Sequence, residues 1–534
     1  MDISKNPEGN TVSAMKQIIQ SYRTGKLEIS ELPPPALKSD GLLMRTSCSV
    51  ISIGTEKMIL ELSRASLLSK ARMRPDLVKK VLDKTRQEGL LNTFNKVQTA
   101  LDKPVPLGYS CAGITLDVGA RCEGFKKGDR VACGGAGYAN HAEFNYVPKN
   151  LCVKIPEGVS DEQAAFVTIG SIALQGVRQS GAVLGDRVVV IGLGMIGLIA
   201  VQILRSSGCF VIGYDLDPSK CELARSMGAD IACSNREALL SAVEDMTSGN
   251  GADSVVICAS TPGNDPIELA GEITRLRGIV VALGAIGMNI PRNVYYQKEL
   301  SVKLSMSYGP GRYDPSYEER GIDYPYSDVR WTENRNMLSF MELIAKGSVN
   351  LDPIITHRFP FDEAEKAYTL IEKKSDEQVL GIILKYKETP DPSFAAARSF
   401  GTGTRAKLSG GVSAGFIGAG NFATGVLLPK LVPMKNVALH TVATSTGISA
   451  SSVAKKFGFA GFSTNLNEVL DNSEINTVFI LTRHSSHSKF IIEGLRAGKA
   501  VFVEKPLCVT PEQLDEITGF LSAADQNAAR LTVG

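Results

Sequence analysis

The stretch GDRVVVIGLGMIGLIAVQILRSSGCFVIGYD, residues 185–215, decides the fold of this chain. An apolar β-branched run leads into a glycine-rich turn, a helical pattern follows, and a second apolar run ends at Asp215. This order of strand, turn, helix and strand predicts a βαβ unit of a parallel sheet. The turn consists of Gly192, Leu193, Gly194, Met195, Ile196 and Gly197.

Each glycine of this turn has a physical task. Gly192 permits a tight turn, Gly194 lets the backbone approach a pyrophosphate at the helix N-terminus, and Gly197 lets helix and strand pack closely. Asp215 is placed to accept hydrogen bonds from the adenosine ribose, and its charge repels a 2′-phosphate. The sequence therefore predicts an NAD site, the alternative being a glycine turn kept only for packing.

Length and charge limit the possible functions. A chain of 534 residues predicts three or four folding units. Its 58 Lys and Arg residues against 56 Asp and Glu give a net charge of +2, which argues against a nucleic-acid partner and favours a small-molecule substrate. The longest apolar run, residues 188–204, contains glycines of the turn and is a poor membrane span.

The cysteines and the N-terminus indicate a compartment. The ten cysteines are widely spaced, which argues against a zinc ribbon or a CxxC redox centre and indicates buried thiols in a reducing environment. The first residues, MDISKNPEGNTVSAMKQ, lack the apolar core of a signal peptide. We expect a cytoplasmic homo-oligomer that binds neither membrane nor nucleic acid.

Four motifs around the glycine turn indicate a family. They are Gly54-Thr55-Glu56, PLGYSCAG, GFKKGDRVA and Gln297-Lys298-Glu299-Leu300. With them, residues 15–387 resemble the medium-chain dehydrogenase/reductase superfamily, the alcohol dehydrogenase-like proteins. The resemblance implies a GroES-like barrel and a Rossmann fold, with hydride transfer between a nicotinamide and an alcohol or carbonyl in the cleft between them.

This sequence lacks the zinc ligands of the zinc-dependent members of that family. Their ligand positions correspond here to Ile53, to Tyr109 and to Ile169, and an isoleucine side chain cannot bind Zn²⁺. We therefore expect no metal in the cleft. A developing alkoxide then needs another hydrogen-bond donor, and Tyr109 is the first candidate, with Glu56 and Lys57 next.

Two of these interpretations have open alternatives. Tyr109 is as consistent with packing into the space of the missing metal as with catalysis. His141, the only histidine of the predicted barrel, is either a structural residue or a proton relay.

Two segments of the first module suggest an anionic substrate. Residues 57–103 form a basic helical insertion, either a solvated surface helix pair or a lid that attracts a nucleotide sugar. Residues 307–336 concentrate five tyrosines, the only tryptophan and several arginines, which suits a sugar ring and a phosphate. A polar loop that packs on the barrel or on a neighbouring subunit explains the second segment equally well.

A second glycine turn follows a Gly-, Pro- and Ser-rich linker. The turn consists of Gly418, Ala419, Gly420, Asn421, Phe422 and Ala423. The strand after it ends at Thr444-Ser445-Thr446, and hydroxyl side chains do not exclude a 2′-phosphate. This module is therefore expected to bind NAD or NADP.

The second module has its own family marks. Thr482 followed by His487, and the triplet Glu504-Lys505-Pro506, resemble the glucose-fructose oxidoreductase and inositol dehydrogenase (Gfo/Idh/MocA) family. The resemblance implies that Lys505 lies beside the nicotinamide and the substrate; a lysine that caps the strand end is the alternative. In that family a substrate domain follows, so we expect this chain to be truncated before it; the alternative is that the second module only binds nucleotide.

Together these features predict an α/β protein with doubly wound parallel sheets. The expected domains are a GroES-like catalytic domain (1–165), a Rossmann domain (166–320), a return to the catalytic domain (321–387), a linker (388–411) and a second Rossmann domain (412–534). The expected function is an oxidoreductase that acts on a sugar, nucleotide sugar or polyol, as in surface-polysaccharide or sugar metabolism. Two alternatives remain open: a zinc-independent quinone or enoyl reductase, and an inactive nucleotide-binding sensor or scaffold.

Overall fold

A computed structural model describes most of the chain. The described residues are 14–21, 24–64, 104–372, 377–388, 400–402, 411–523 and 530–534. Contacts between Cα atoms divide the chain into two compact units. Unit 1 comprises Met1–Ala36, Leu60–Pro106 and Thr389–Gly534, and unit 2 comprises Leu37–Ile59 and Leu107–Glu388.

The strands of the described residues are numbered in chain order. They are β1 Met15–Ser21, β2 Leu27–Leu32, β3 Gly41–Ile51, β4 Pro104–Pro106, β5 Ser110–Val118, β6 Arg130–Gly134, β7 Phe144–Pro148, β8 Cys152–Lys154, β9 Arg187–Ile191, β10 Phe210–Tyr214, β11 Ile231–Cys233, β12 Ala252–Ile257, β13 Thr274–Ala282, β14 Ser301–Leu304, β15 Ile355–Pro360, β16 Gly381–Lys385, β17 Phe400–Gly401, β18 Val412–Ile417, β19 Val437–Ala443, β20 Gly461–Ser463, β21 Thr477–Ile480, β22 Ala500–Val503 and β23 Leu531–Val533.

The α-helices are numbered in the same way. They are α1 Ile53–Arg64, α2 Asp161–Ala164, α3 Val167–Ser180, α4 Met195–Ser206, α5 Pro218–Ser226, α6 Arg236–Thr247, α7 Asp265–Ile273, α8 Arg292–Gln297, α9 Pro315–Glu318, α10 Glu333–Ala345, α11 Ala364–Glu372, α12 Leu428–Leu431, α13 Gly447–Phe457, α14 Asn467–Leu470, α15 His487–Arg496 and α16 Pro511–Ala523. Short 3₁₀ turns cover Lys149–Leu151, Phe361–Glu363 and His484–Ser486, and a π-turn covers Ala423–Leu427.

Unit 2 contains a barrel-like sheet and a nucleotide fold. The barrel strands pair in the order β15-β16-β3-β5-β6-β8, with β7 on β3, and most of these pairs are antiparallel. The nucleotide fold is a parallel sheet in the order β11-β10-β9-β12-β13-β14. Counted from its first strand, this is the 3-2-1-4-5-6 order of dinucleotide-binding sheets.

Burial explains why the strands of this sheet are apolar throughout. Val188, Val189 and Val190 of β9 are fully buried because helices cover both faces of the sheet. The central strand therefore has no solvent face on which a polar residue would be tolerated.

Unit 1 contains the second nucleotide fold. Its sheet has the order β17-β20-β19-β18-β21-β22-β23, and all pairs except β17 with β20 are parallel. Without β17, this is the same 3-2-1-4-5-6 order. The predicted fold class, a GroES-like barrel with one Rossmann fold and then a second Rossmann fold, is confirmed.

The N-terminal strands belong to unit 1, although the sequence predicted a single barrel domain over 1–165. β1 pairs antiparallel with β2 and β4 in a separate three-stranded sheet. The Thr464 hydroxyl donates a 2.6 Å hydrogen bond to the carbonyl oxygen of Pro34, just after β2. A Cβ on Gly447 would lie 2.4 Å from the carbonyl oxygen of Pro33. The N-terminal segment therefore packs against the second nucleotide fold.

Two other predicted segments need comment. The predicted linker is partly a strand, and the predicted insertion lies partly outside the described residues. The predicted linker contains β17, whose Phe400 is 1% exposed and stacks on Phe462 with ring centres 5.3 Å apart. Of the predicted insertion over 57–103, the end of α1 is described and residues 65–103 lie outside the described residues. No helix of the described residues is both long enough and apolar enough for a membrane span.

Candidate active site

The glycine turn of unit 2 connects β9 to the N-terminus of α4. Gly192 has a φ of +93°, and a Cβ there would lie 2.5 Å from the backbone nitrogen of Ala259, so only glycine fits. A Cβ on Gly197 would lie 1.9 Å from the carbonyl oxygen of Gly192, which shows how closely the helix approaches the turn. A Cβ on Gly194 would meet nothing within 4 Å. Open space at a helix N-terminus, bordered by glycine backbone, fits a pyrophosphate.

Asp215 lies beside this turn, directly after β10. Its carboxylate accepts hydrogen bonds from the backbone N–H of Leu193 at 2.8 Å and of Asp217 at 3.0 Å. Lys220 Nζ lies 3.6 Å from the same carboxylate. The sequence reasoning missed Lys220, although its place in the first turn of α5 was a usable signal. Asp215 therefore lies directly beside the glycine turn, as the binding of an adenosine ribose next to a pyrophosphate requires.

The three positions that correspond to zinc ligands lie at element boundaries of unit 2. Ile53 begins α1, Tyr109 directly precedes β5, and Ile169 is buried in the first turn of α3. Tyr109 packs against the apolar cluster that contains Ile169. Among the described residues of unit 2, no three His, Cys, Asp or Glu side chains are grouped closely enough to hold a metal. The residues at these positions do not fit a catalytic zinc.

The hydroxyl of Tyr109 is held in a polar pocket within this apolar environment. The side-chain hydroxyls of Ser52 and Thr55 lie near it and interact with it electrostatically. Burial raises the pKa of Tyr109 above the usual value for a phenol, and the neighbouring hydroxyls of Ser52 and Thr55 offset only part of that effect. Thr168 donates a 3.0 Å hydrogen bond to the carbonyl oxygen of Tyr109 and so fixes its backbone. Tyr109 is therefore a positioned, protonated hydrogen-bond donor at neutral pH.

A buried hydrogen-bond network surrounds Glu56, whose side chain is 1% exposed. Its carboxylate accepts bonds from the Ser52 backbone N–H at 3.1 Å and from the Tyr368 hydroxyl. His141 Nε2 lies 3.2 Å from the same carboxylate, and Ser49 Oγ lies 2.7 Å from His141 Nδ1. The network continues from Ser49 to the hydroxyl of Tyr386 at 2.9 Å.

The network includes two of the predicted residues, Glu56 and His141. With Glu56 ionised, His141 donates from Nε2 and accepts from Ser49 at Nδ1, so a neutral imidazole satisfies both bonds. Burial raises the pKa of Tyr368 well above its usual value, and the charge of Glu56 adds to this. Lys57, by contrast, is exposed and bonds to none of the described residues. The sequence reasoning missed Ser49, Tyr368 and Tyr386 because the two tyrosines lie more than 300 residues from their partners.

The glycine turn of unit 1 repeats the first with one change. Gly418 has a φ of +88°, a Cβ there would lie 2.6 Å from the carbonyl oxygen of Leu481, and Gly420 faces open space. Ala423 is fully buried and begins a π-turn instead of a regular helix. Thr444, at the ribose position, donates a 2.8 Å hydrogen bond to the carbonyl oxygen of Thr446. The ribose position of this module therefore carries a hydroxyl group and no acidic side chain.

The family marks of unit 1 meet at the end of β22. His487 is fully buried; its Nδ1 lies 2.7 Å from the carbonyl oxygen of Pro506, and its Nε2 lies 3.2 Å from that of Thr482. The Thr482 hydroxyl bonds to Ser486 Oγ at 2.7 Å. Lys505 is exposed, and the peptide bond between Lys505 and Pro506 is cis. His487 therefore links Thr482 to the carbonyl oxygen of Pro506, the residue after Lys505.

One group of potential metal ligands lies at this site, although the sequence predicted none. Nitrogens of His484 and His487 and a carboxylate oxygen of Glu504 lie within 4.8 Å of one another. Both ring nitrogens of His487 face backbone carbonyl oxygens, so neither is free to bind an ion. This histidine therefore supports the turn that carries Lys505.

Comparisons with known proteins agree with the two-module organisation. Residues 196–319 match the family described as zinc-binding dehydrogenase, and residues 412–534 match the oxidoreductase family with an NAD-binding Rossmann fold. Sorbitol dehydrogenase 2 of Saccharomyces cerevisiae is 29% identical over 304 residues, which cover 50% of this chain and 78% of that protein. D-arabitol-phosphate dehydrogenase of Enterococcus avium is 25% identical over 340 residues, 56% of this chain and 89% of that protein.

A solved structure shows the same fold for the first module. The alcohol dehydrogenase TADH from Thermus sp. ATN1 has a TM-score of 0.52 and 20% identity, and the match covers 70% of this chain and 100% of that one. The glycine turns, their parallel sheets and these matches agree on a nicotinamide-dependent oxidoreductase. The chain is a fusion of an alcohol dehydrogenase-like module of the medium-chain dehydrogenase/reductase superfamily with a nucleotide-binding module of the Gfo/Idh/MocA family.

Proposed function

We propose that the first module interconverts a secondary alcohol and a carbonyl of a polyol or sugar with NAD(H), and that it does so without a catalytic zinc. The observation that carries this proposal is Tyr109, whose hydroxyl lies beside Ser52 and Thr55 at a position where the zinc-dependent pattern has a metal ligand. The names of the relatives, which include sorbitol and arabitol-phosphate dehydrogenases, support a polyol-like substrate.

The cofactor preference follows from Asp215. Its carboxylate lies at the ribose position next to the glycine turn, where it would bind ribose hydroxyls and repel a 2′-phosphate. The open N-terminus of α4 would hold the pyrophosphate. When bound, NAD supplies the hydride acceptor of the reaction, and NADH supplies the donor.

Tyr109 would handle the proton at the substrate oxygen. Because burial raises its pKa, the phenol stays protonated and can donate a hydrogen bond to a carbonyl oxygen or to a developing alkoxide. Ser52 and Thr55 orient the phenol, and Ser52 also donates its backbone N–H to Glu56. Glu56 and His141 then act as positioning residues behind the donor.

The second module would bind NAD or NADP at its own glycine turn. The hydroxyl side chains from Thr444 to Thr446 leave both cofactors possible. Lys505, after β22, would lie beside the substrate, as its resemblance to the second family implies. His487 holds the carbonyl oxygen of Pro506, the residue that follows this lysine.

The test of the first proposal combines metal analysis, cofactor titration and one variant. We expect less than stoichiometric zinc, a preference for NAD over NADP, and loss of about 10²-fold or more of kcat in Tyr109→Phe, the range for removing an acid–base group. Tyr296→Phe, at an exposed tyrosine, is the matched control and should keep full activity. One tightly bound zinc per chain, or an unchanged kcat in Tyr109→Phe, would contradict the proposal.

The same experiment separates the alternatives. A preference for NADPH with activity on a quinone or an enoyl substrate would favour a zinc-independent reductase of that kind. Retention of NAD(H) without turnover of any polyol, sugar or nucleotide sugar would favour a sensor or scaffold. We also propose a cytoplasmic homo-oligomer; the ten cysteines, all free and eight of them buried, support a reducing compartment.

A further inference from the structure

Three arginines and two aromatic rings of unit 2 form an alternating stack. Arg178 comes from α3, and the other four side chains follow β14 in the chain. The guanidinium carbon of Arg178 lies 3.2 Å from the ring centre of Trp331, and that of Arg330 lies 3.7 Å from it. Arg330 also lies 4.7 Å from the ring centre of Tyr326, and Arg335 lies 5.0 Å from the same ring. We call these five side chains the arginine–aromatic stack.

The stack holds more positive than negative charge. Arg335 pairs with Asp323, but Arg178 bonds only to neutral groups, Asn336 Oδ1 at 2.9 Å and Ser339 Oγ at 3.2 Å. Arg330 has no hydrogen bond or ion pair with any residue that the structure describes.

The two arginines beside Trp331 also repel each other. Partial burial and the neighbouring charge of Arg330 lower the pKa of Arg178 to about 10. Like charges this close raise the free energy of the unliganded protein, and a bound anion would relieve that repulsion.

The geometry also limits the kind of ligand. Two guanidinium groups within 4 Å of one ring centre must cover opposite faces of Trp331, so this ring has no free face for a sugar or a base. The N–H groups of Arg330, which is exposed, have no partner among the described residues and have the planar fork that matches phosphate oxygens. The cation–π contacts hold that fork in place without consuming its hydrogen bonds.

We propose that the arginine–aromatic stack is a binding site for a phosphoryl group, separate from the two glycine turns. Arg330 is its direct ligand, and Arg178, across the ring of Trp331, adds a second positive charge. The phosphoryl group belongs either to a phosphorylated substrate or to free phosphate. The site is assigned by its own charge and geometry and does not depend on the reaction proposed for the cleft.

The single tryptophan makes this site directly observable. Trp331 is the only tryptophan of the chain, so tryptophan emission of the full-length protein reports on the stack alone. We expect pyrophosphate to change that emission saturably at constant ionic strength, whereas sodium chloride should not. Arg330→Gln, at an exposed position, should weaken the apparent affinity at least tenfold, and Arg178→Gln should weaken it to a smaller extent.

The controls separate this site from general charge effects. Arg277→Gln removes an exposed arginine elsewhere in unit 2 and should bind pyrophosphate like the unmodified protein. Arg330→Lys keeps the charge without the fork and should bind with intermediate affinity. An emission change that follows ionic strength alone, or that Arg330→Gln leaves unaltered, would overturn the proposal.

A second titration identifies the source of the phosphoryl group. A sugar phosphate that binds at least tenfold more tightly than inorganic phosphate would assign the site to a phosphorylated substrate. Equal affinities would assign it to free phosphate. Neither result depends on turnover, so the site remains testable even if the proposed reaction fails.

Discussion

Glu56 is a fully buried carboxylate whose bonds can be tested one residue at a time. Its oxygens accept from Ser52 N–H, from Tyr368 and from His141. Glu56→Gln replaces one acceptor oxygen by an NH₂ donor, so at least one buried donor loses its partner. We expect the free energy of unfolding, measured by urea titration, to fall by roughly 1–3 kcal/mol.

The control for this variant lies on the same helix. Glu61, also on α1, is exposed, and Glu61→Gln should change the free energy of unfolding by less than about 0.5 kcal/mol. Equal stabilities for the two variants would show that the network around Glu56 contributes nothing to folding.

Glu333 predicts a dependence of stability on pH. Its carboxyl group is fully buried at the start of α10, and neither oxygen bonds to a described residue. Burial, and then the charge of Glu318, raise its pKa from 4.5 to about 9. Between these two pH values the unfolded chain loses this proton and the folded chain keeps it, so stability falls as pH rises, by up to about 1.4 kcal/mol per unit.

Glu333→Gln removes the titrating group and should remove that slope. We expect urea unfolding to show little difference from the unmodified protein near the acid end, about pH 5, and a growing advantage of the variant toward about pH 8. Glu342→Gln, an exposed position on the same helix, should follow the unmodified protein throughout. Parallel pH curves for Glu333→Gln and the unmodified protein would contradict the raised pKa.

Single residues also show what the sequence could and could not predict. Gly192, Gly197 and Asp215 were found because a cofactor turn is a local pattern with fixed spacing. Ser49, Tyr368 and Tyr386 were not found, because their contacts join distant segments and no local period marks them. The sequence marks Trp331 as unusual, but one of the two arginines that cover its faces comes from a distant position in the chain that no local pattern connects to it.

Among the elements, β17 is the one that the sequence obscured. A two-residue strand in a stretch rich in Gly, Ser and Ala has no periodicity, so the sequence predicts a linker there. Yet Phe400 is 1% exposed and packs on Phe462. We expect Phe400→Ala to lower the free energy of unfolding of unit 1 by about 3–5 kcal/mol.

A matched surface substitution separates this effect from general sensitivity. Val432 is 51% exposed, and Val432→Ala should leave the urea midpoint nearly unchanged. If Phe400→Ala had as little effect, β17 would be dispensable and the linker interpretation would be sufficient. The long βαβ units, by contrast, were predictable because buried parallel strands are apolar without interruption.

At the scale of the whole molecule, two helical glycines give opposite expectations. A Cβ on Gly447 of α13 would lie 2.4 Å from the carbonyl oxygen of Pro33, whereas one on Gly519 of α16 would meet nothing within 4 Å. Gly447→Ala should therefore speed hydrogen exchange in residues 15–32 as well as in α13. Gly519→Ala should leave both regions unchanged and stabilise its helix by about 0.5–1 kcal/mol.

Unchanged exchange in residues 15–32 of Gly447→Ala would show that the N-terminal sheet does not depend on this contact. No sequence pattern predicts this contact between residues 33 and 447, because two segments this far apart in the chain have no spacing that indicates their proximity.

The placement of β1, β2 and β4 with the second nucleotide fold changes how the chain can be divided. The two units alternate along the chain: unit 1 supplies the segments before residue 37 and after residue 388 as well as one segment between the two parts of unit 2. A single cut near residue 388 would therefore not release two self-sufficient enzymes, because the N-terminal fragment would keep strands whose packing partner is on the other fragment. Fragments 1–388 and 389–534 should instead recognise each other when co-expressed, as in a split-protein reporter, with β1 and β2 as the docking element.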